Sequence, residues 1–319
     1  MVFKDFYSFM LLWQNQSFNF EISTSGSTGI AKTIKLDRKK IAISAQQSRK
    51  TFPNISTYKT LCCLPTDRIG GFMQLSRAAL WQVDCDIIKP SANPMKAIAI
   101  HHDYKNCSLS PNQLVNIFKD DESVKKLLRF ELILIGGAAV TFKISTINKR
   151  LFKERMYFTF GMTETYSHIA IKKIEEEIFE ALEGIEIQKN PNNCLEIRGD
   201  ITENTWLKTN DIIEFIAPNK FMVLGRLDNI INSGGIKFNA ESLEKIITTQ
   251  INCPFYIGKT HDENLGEIIT LFINKNTAIN LTNLNIILEQ SFGKFAKIKR
   301  VIETAINFNP FTGKITRMS

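Results

Sequence analysis

Nine residues near the start, Thr24-Ser25-Gly26-Ser27-Thr28-Gly29-Ile30-Ala31-Lys32, constrain this chain more than any other stretch. The two glycines let backbone N–H groups approach an anion closely, the four hydroxyls add donors, and Lys32 adds a mobile charge. In composition this is a loop that grips phosphate. It lacks the Gly-Lys-Ser/Thr ending of a Walker A loop. The same composition also fits a plain flexible turn, and taken alone it does not decide between the two.

The apolar pattern around that loop sets a fold class. Residues 18–22 alternate apolar and polar and read as a strand feeding the loop. Asp37 is placed to cap a helix over 38–51. Further strands are expected at 60–64, 85–88, 131–135 and 156–160. Helices are expected at 71–81, from Pro94 behind an Asn93 cap, and at 141–152. Strands alternating with helices of this kind predict an α/β core with a mainly parallel sheet. After residue 169 short alternating runs follow at 184–188, 195–198, 206–208, 212–216 and 221–224, separated by Pro, Asn and Gly turns. They read as consecutive antiparallel strands, a small β subdomain. Beyond Arg226 the pattern mixes again, with helices at 240–250 and 282–290 and strands at 255–257, 268–273 and 300–302. The expectation is a large domain over 1–227 and a small α+β domain over 228–319, which suits 319 residues at roughly 100–200 per domain.

Composition removes several classes. Hydrophobic residues make up 44% and charged residues 23%, an ordinary balance for a soluble chain. No apolar run reaches the roughly 18–20 residues of a membrane span. Lys4 and Asp5 interrupt the apolar N-terminus and no small-residue cleavage site follows, so no signal peptide is read and cytoplasmic residence is expected. The six cysteines form no Cys-x-x-Cys pair, which disfavours zinc and disulfide frameworks; Cys62 and Cys63 sit in an apolar run as buried small hydrophobes. The net charge of +8 admits a nucleic-acid partner. The lysines are scattered, however, and no basic-aromatic module appears, so no nucleic-acid partner is expected. Binding of small polyanions, or a compositional bias alone, accounts for the charge.

Four later stretches follow the glycine loop in a fixed order: Phe158-Thr159-Phe160-Gly161-Met162-Thr163-Glu164-Thr165, then Thr209-Asn210-Asp211, then Gly225-Arg226-Leu227-Asp228 running to Glu244, and last Asn309-Pro310-Phe311-Thr312-Gly313-Lys314. In that order the five resemble the motifs of the acyl-adenylate-forming superfamily, which holds acyl- and aryl-CoA ligases, luciferases and peptide-synthetase adenylation domains, and the resemblance covers most of the chain from Ser23 to Arg317. The resemblance implies an acid–thiol ligase that forms an acyl-AMP intermediate, with ATP, Mg²⁺ and coenzyme A as cofactors and a small-molecule carboxylic acid as partner. It assigns Thr24, Ser25, Gly26, Ser27, Thr28, Gly29 and Lys32 to the β- and γ-phosphates. Thr163 goes to the nucleotide phosphate and Glu164 to Mg²⁺. Gly136, Gly137 and Ala138 line the adenine pocket, where Phe160 and Gly161 also belong. Asp211 accepts from the ribose hydroxyls and Arg226 adds a second ribose contact. Asp228 is the hinge between the domains, and Gly234 and Gly235 form the turn that leaves room for pantetheine. Lys314 bridges the acyl carboxylate and the α-phosphate.

Each residue also has a plainer reading. Glu164 alone is a solvated carboxylate, Asp211 and Arg226 make a strand-end ion pair, and Lys314 is a surface charge near the end of a basic chain. Asn239, Glu241 and Glu244, at a helix start, read as structural. The chain departs from the family pattern at Ala31, where relatives carry proline, at Phe160, often tyrosine, and at Asn210, usually glycine. It also has only 23 residues before the loop. A shortened N-terminus is therefore expected, with part of the large domain's first sheet absent or replaced.

The run Leu64-Pro65-Thr66-Asp67-Arg68-Ile69-Gly70-Gly71-Phe72-Met73-Gln74-Leu75-Ser76-Arg77-Ala78, with Ser167-His168-Ile169-Ala170, resembles the acyl-pocket region of the o-succinylbenzoate–CoA ligases. Their substrate keeps an aromatic carboxylate free while its succinyl carboxylate reacts, so a pocket cation is expected. Arg77 is the candidate, with Gly70 and Gly71 at the helix start and His168 as a second polar wall. An exposed helix charge is the rival reading of Arg77. The implied reaction is o-succinylbenzoate to o-succinylbenzoyl-CoA in menaquinone biosynthesis. Another aryl- or acyl-CoA ligase and a non-catalytic nucleotide-binding relative are the alternatives. The oligomeric state, a homodimer included, is left open.

Overall fold

Asp37 does what its position suggests. Its carboxylate accepts from the Lys39 N–H at 2.7 Å and starts a helix, α2 (Arg38–Thr51), whose buried residues Ile41, Ser44, Ala45 and Ser48 fall on one face. The computed structural model describes residues 1–23, 33–137, 149–251 and 253–306, together with 315 and 317. Before α2 come a helix, α1 (Phe6–Gln14), and a two-stranded antiparallel ladder of β1 (Phe20–Ser23) and β2 (Thr33–Leu36).

The strands that follow build one 11-stranded sheet. Its parallel part contains β3 (Thr60–Cys62), β4 (Cys85–Ile87), β5 (Asn106–Leu109), β6 (Leu132–Ile135) and β7 (Met156–Gly161), in the order β4-β3-β5-β6-β7. Residues of β3 and β6 are buried throughout, as expected of strands covered on both faces. Alternate residues serve opposite sides: Cys62 packs with Phe9, Phe20, Ile41 and Phe72, whereas Leu61 packs with Leu114, Ile117 and Phe130. Helix α3 (Ile69–Trp81) joins α1 and α2 over the first side. Helices α4 (Pro111–Ile117) and α5 (Asp121–Leu127) cover the second.

The antiparallel strands continue that sheet. From β7 the pairing runs through β8 (His168–Lys173) and β9 (Phe179–Ala181) to β13 (Lys220–Arg226), β12 (Leu207–Ala217), β11 (Cys194–Arg198) and β10 (Glu186–Lys189). A second sheet contains β14 (Ile230–Ser233), β15 (Ile236–Asn239), β16 (Phe255–Asp262), β17 (Gly266–Ile273) and β18 (Arg300–Glu303). It packs on α7 (Ala240–Ile247) and α8 (Leu281–Phe292) around its own core of Leu243, Ile247, Ile257, Leu271, Leu284 and Leu288. The short helix α6 (Lys149–Phe152) is the described end of the helix expected at 141–152; residues 141–148 lie outside the described residues.

Two sequence expectations need correction. The helix expected from Pro94 is a single 3₁₀ turn, Pro94–Ala97, although Asn93 does cap it by accepting from Met95 N–H at 3.2 Å. The runs 206–208 and 212–216 are one strand, β12. The polar Thr209-Asn210-Asp211 between them stays in the strand, because Thr209 Oγ1 donates to Leu195 O at 2.8 Å and the register shifts between Ile212 and Ile213 absorb the irregularity. Cys62 and Cys63 are buried free thiols, and burial pushes the Cys62 thiol up to about 12. Among the described residues no helix is long and apolar enough to cross a membrane.

Candidate active site at the carboxyl ends of the parallel strands

The chain steps outward from β3 to β4 and then returns to place β5 on the other side of β3, so strand order reverses there. In open α/β sheets the crevice outside the carboxyl ends of the strands at such a reversal is where ligands bind. The glycine pair follows β6 at this edge. Gly136 N–H donates to Leu109 O at 3.0 Å, and a Cβ on Gly136 would sit 2.5 Å from Thr159 Oγ1. Gly137 has φ +99°, backbone that favours glycine. Phe160, half-buried at the end of β7, packs edge-on to Phe221 at 5.5 Å between ring centroids.

Just beyond, residues 161–168 form a tied turn. Thr165 Oγ1 receives the Met162 N–H at 3.1 Å and donates to Ser167 O at 2.8 Å. Tyr166 takes φ +61° and its hydroxyl accepts the Asp37 N–H at 2.9 Å, which joins the turn to the start of α2. The result leaves Thr163 half-buried and Glu164 exposed. Among the described residues no group of three or more His, Cys, Asp or Glu side chains could hold a metal. A single carboxylate is what Mg²⁺ takes when phosphate oxygens and water complete its shell, so Glu164 fits that ion in number and type of donor. The turn depends on Gly161, where a Cβ would collide with the Ser167 carbonyl and the His168 Cα. Gly161→Ala should therefore cost on the order of 1–3 kcal/mol or more, measured as a lowered denaturant midpoint with an unchanged m value.

Helix α3 brings Arg77 into the same region. Its start at Gly70 and Gly71 passes close to the preceding loop, and a Cβ on Gly71 would collide with Pro65 O. Arg77 is 6% exposed, which excludes the exposed-charge reading. No carboxylate pairs with it among the described residues. One terminal nitrogen donates to Ser167 Oγ at 2.5 Å, and Nε is buried without a partner. Burial draws the guanidinium down to about 10. His168 lies beside it, also 6% exposed. Its Nδ1 meets Ser167 Oγ at 3.1 Å and its Nε2 meets Ser48 Oγ at 3.4 Å. Both ring nitrogens are thus engaged inside the protein. Burial, and then the Arg77 charge, pull His168 down to about 3. Ser48 was not singled out in the sequence; the available signal was a polar residue on the buried stripe of α2.

At the other part of the sheet Arg226 bridges two carboxylates, Asp211 at 3.3 Å and Asp228 at 2.7 Å. Burial works to lower the Arg226 pKa, but the Asp228 hydrogen bond and the Asp211 charge outweigh it and hold it above its usual value. Asn210 Nδ2 also donates to Asp228 at 3.0 Å. Gly234 and Gly235, with φ +59° and +82°, are the two-residue turn between β14 and β15, where a type I′ turn requires positive φ at both positions. Asn239 caps α7 and Glu244 accepts the Ile257 N–H at 2.7 Å, in keeping with a structural reading. Thr24, Ser25, Gly26, Ser27, Thr28, Gly29, Lys32, Ala138 and Lys314 lie outside the described residues. On either side of the glycine loop Ser23 and Thr33 pair as the last rung of the β1–β2 ladder.

No family model matches the chain. Among solved structures, an acyl-CoA synthetase (AMP-forming)/AMP-acid ligase II-like protein from Dyadobacter fermentans DSM 18053 is 30% identical, with a TM-score of 0.61 over 97% of this chain and 90% of that one. The chain belongs to this family of AMP-forming acyl-CoA synthetases and AMP-acid ligases. A 2-succinylbenzoate–CoA ligase of Escherichia coli (strain K12) is 24% identical over 255 residues, 74% of this chain. The chain spans about half, 53%, of the length of that curated relative. The o-succinylbenzoate–CoA synthetase of Bacillus subtilis, solved with its acyl-adenylate intermediate, shares the fold at 18% identity, with a TM-score of 0.75 over 93% of this chain and 67% of that one.

Proposed function

We propose that this chain carries out acid–thiol ligation through an acyl-adenylate, with o-succinylbenzoate as the acid and o-succinylbenzoyl-CoA, a menaquinone precursor, as the product. Arg77 is the observation that carries the choice of acid: a buried cation without a carboxylate partner among the described residues, hydrogen-bonded to Ser167 just beyond the carboxyl end of β7. An isolated buried charge costs several kcal/mol, and a substrate carboxylate would relieve that cost.

In the first step an oxygen of the succinyl carboxylate bonds to the α-phosphorus of ATP, the bond from that phosphorus to the bridging oxygen breaks, and pyrophosphate leaves. The barrier is the meeting of two anions, so cations and oriented donors supply most of the catalysis. Residues 24–29 and Lys32 hold the β- and γ-phosphates, Thr163 donates to the phosphate, and Lys314 sits between the reacting carboxylate and the α-phosphate. Glu164 would hold Mg²⁺, which would supply positive charge against the phosphates. Gly136, Gly137, Ala138, Phe160 and Gly161 form the adenine wall, and Asp211 and Arg226 take the ribose. Residues 228–319 then turn about Asp228 as a unit against 1–227, bringing Gly234 and Gly235 to the pantetheine channel. The coenzyme A sulfur bonds to the acyl carbon, the acyl–phosphate oxygen bond breaks, AMP leaves, and the thiol proton passes to solvent.

The test is pyrophosphate release with ATP, Mg²⁺ and coenzyme A across a panel of carboxylic acids. Selective turnover of o-succinylbenzoate is expected. Turnover of a different acid keeps the ligase chemistry and removes the assignment of Arg77. ATP binding without turnover of any acid points to a non-catalytic nucleotide-binding relative.

A further inference from the structure

We infer that Ser48 and His168 are positioning residues that hold Ser167, and through it the Arg77 guanidinium, in the pose that selects an acid with a second, non-reacting carboxylate. This rests on the ligase reading above, adds Ser48 to it, and gives His168, expected from the sequence as a second polar wall of the acyl pocket, a positioning role instead.

The inference follows from the direction of four hydrogen bonds. Arg77 can only donate, so Ser167 Oγ accepts from it at 2.5 Å. The Ser167 hydroxyl hydrogen is then free to point at His168 Nδ1, 3.1 Å away. At the far end the Ser48 hydroxyl donates to Ser44 O at 3.0 Å, in the usual manner of a helical serine, and so presents a lone pair to His168 Nε2 at 3.4 Å. The Ser48 end selects the neutral imidazole with its proton on Nε2, and the Ser167 end accommodates the Nδ1 lone pair that goes with it. Every donor along the chain points away from the guanidinium and ends on a main-chain carbonyl of α2. The burial that keeps His168 neutral agrees with this direction, since a second cation beside Arg77 would repel it.

Removing the Ser48 hydroxyl has a specific consequence. The Nε2–H loses its acceptor while buried, and the tautomer with the proton on Nδ1 becomes competitive. That tautomer presents a proton to Ser167 Oγ, which then accepts from two donors while its own hydrogen loses the Nδ1 lone pair that directed it. The guanidinium keeps an acceptor but one whose orientation is no longer fixed. The reacting carboxylate and the nucleotide are not involved, so the damage falls on acids that use Arg77.

The experiment has a spectroscopic and a kinetic arm, both on the full chain. Imidazole nitrogen NMR at neutral pH should show His168 as the Nε2–H tautomer in the unaltered protein. The kinetic reading is a ratio: kcat/KM for o-succinylbenzoate over that for β-benzoylpropionate, the same keto acid without the ring carboxylate. Ser48→Ala and His168→Leu should each lower this ratio about tenfold or more, the value of one misplaced charge-assisted hydrogen bond. Ser48→Thr, which keeps the hydroxyl, should restore it. An Nδ1–H tautomer in the unaltered protein, or equal losses on the two acids, would overturn the inference. Failure of the ligase reading looks different: the unaltered chain then turns over neither acid.

Discussion

Replacing Arg77 with methionine is expected to make the protein more stable and its reaction with o-succinylbenzoate far slower. The two effects share one cause. Arg77 is a buried cation whose only hydrogen bond among the described residues goes to a neutral hydroxyl, and its Nε is unpartnered. Folding therefore desolvates a charge with little return. Methionine fills a similar volume with apolar, adaptable atoms, and such replacements of buried charge commonly gain about 1–4 kcal/mol. In a domain of this size each kcal/mol raises the melting temperature by roughly 2–4 °C. In the proposed reaction the same change would leave the ring carboxylate of the acid buried without its counter-charge, at a cost of about 2–5 kcal/mol, or roughly thirtyfold to several thousandfold in kcat/KM. β-Benzoylpropionate, which lacks that carboxylate, should lose little. A lowered melting temperature would show that the guanidinium is satisfied in the fold and is not held in reserve for a ligand.

That trade between stability and recognition also explains what the sequence made legible. Elements whose signals are local read well. Asp37 and the 41-44-45-48 stripe define α2 to its first and last residue. The tied turn at 161–168 is likewise built from neighbours, Thr165 with Met162 and Ser167, and its linear motif survives as a readable string. Short helices were missed although their caps were present: Ser110 and Gln113 form a full capping box on α4, and Asp120 caps α5, but seven residues each are too few to establish a period. Strand β12 was divided because Thr209-Asn210-Asp211 is polar enough to pass for a turn. The hydroxyl of Thr209 reaching Leu195 on the next strand, with the pairing of Asp211 to Arg226, keeps it extended. The least legible part of the site is the most distant in sequence. Ser48 and His168 are 120 positions apart, and nothing local in either segment announces the other. The plain readings also kept some ground. Asp211 and Arg226 do form a strand-end ion pair, and Gly234 and Gly235 are required by a hairpin turn whatever else passes over them.

Lys314→Ala is expected to reduce adenylation by about 10²–10³-fold, the usual loss when one oriented group facing developing charge is removed, and to leave the second half-reaction largely intact. The lysine follows Gly313 in a glycine-containing run and precedes residues that are firmly held. Ile315 packs against the stacked pair Tyr256 and Phe272, whose rings lie 4.5 Å apart. Arg317 donates to Glu244 at 2.9 Å and sits over the Tyr256 ring at 5.5 Å. Ile315 and Arg317 thus belong with the second sheet and its helices, the same unit that carries Gly234 and Gly235. In the proposed reaction the adenylation lysine and the pantetheine turn serve different half-reactions. The variant should accordingly fail in ATP–pyrophosphate exchange while converting presynthesised o-succinylbenzoyl-AMP and coenzyme A to thioester at close to the unaltered rate. Lys314→Arg should recover only part of the first activity, because a planar fork does not replace a compact ammonium between two oxyanions. Equal losses in both half-reactions would mean that the substitution disturbs the anchoring at Ile315 and Arg317 instead. Full exchange activity would return the lysine to its plain reading as a surface charge and leave Lys32 to meet the phosphates without it.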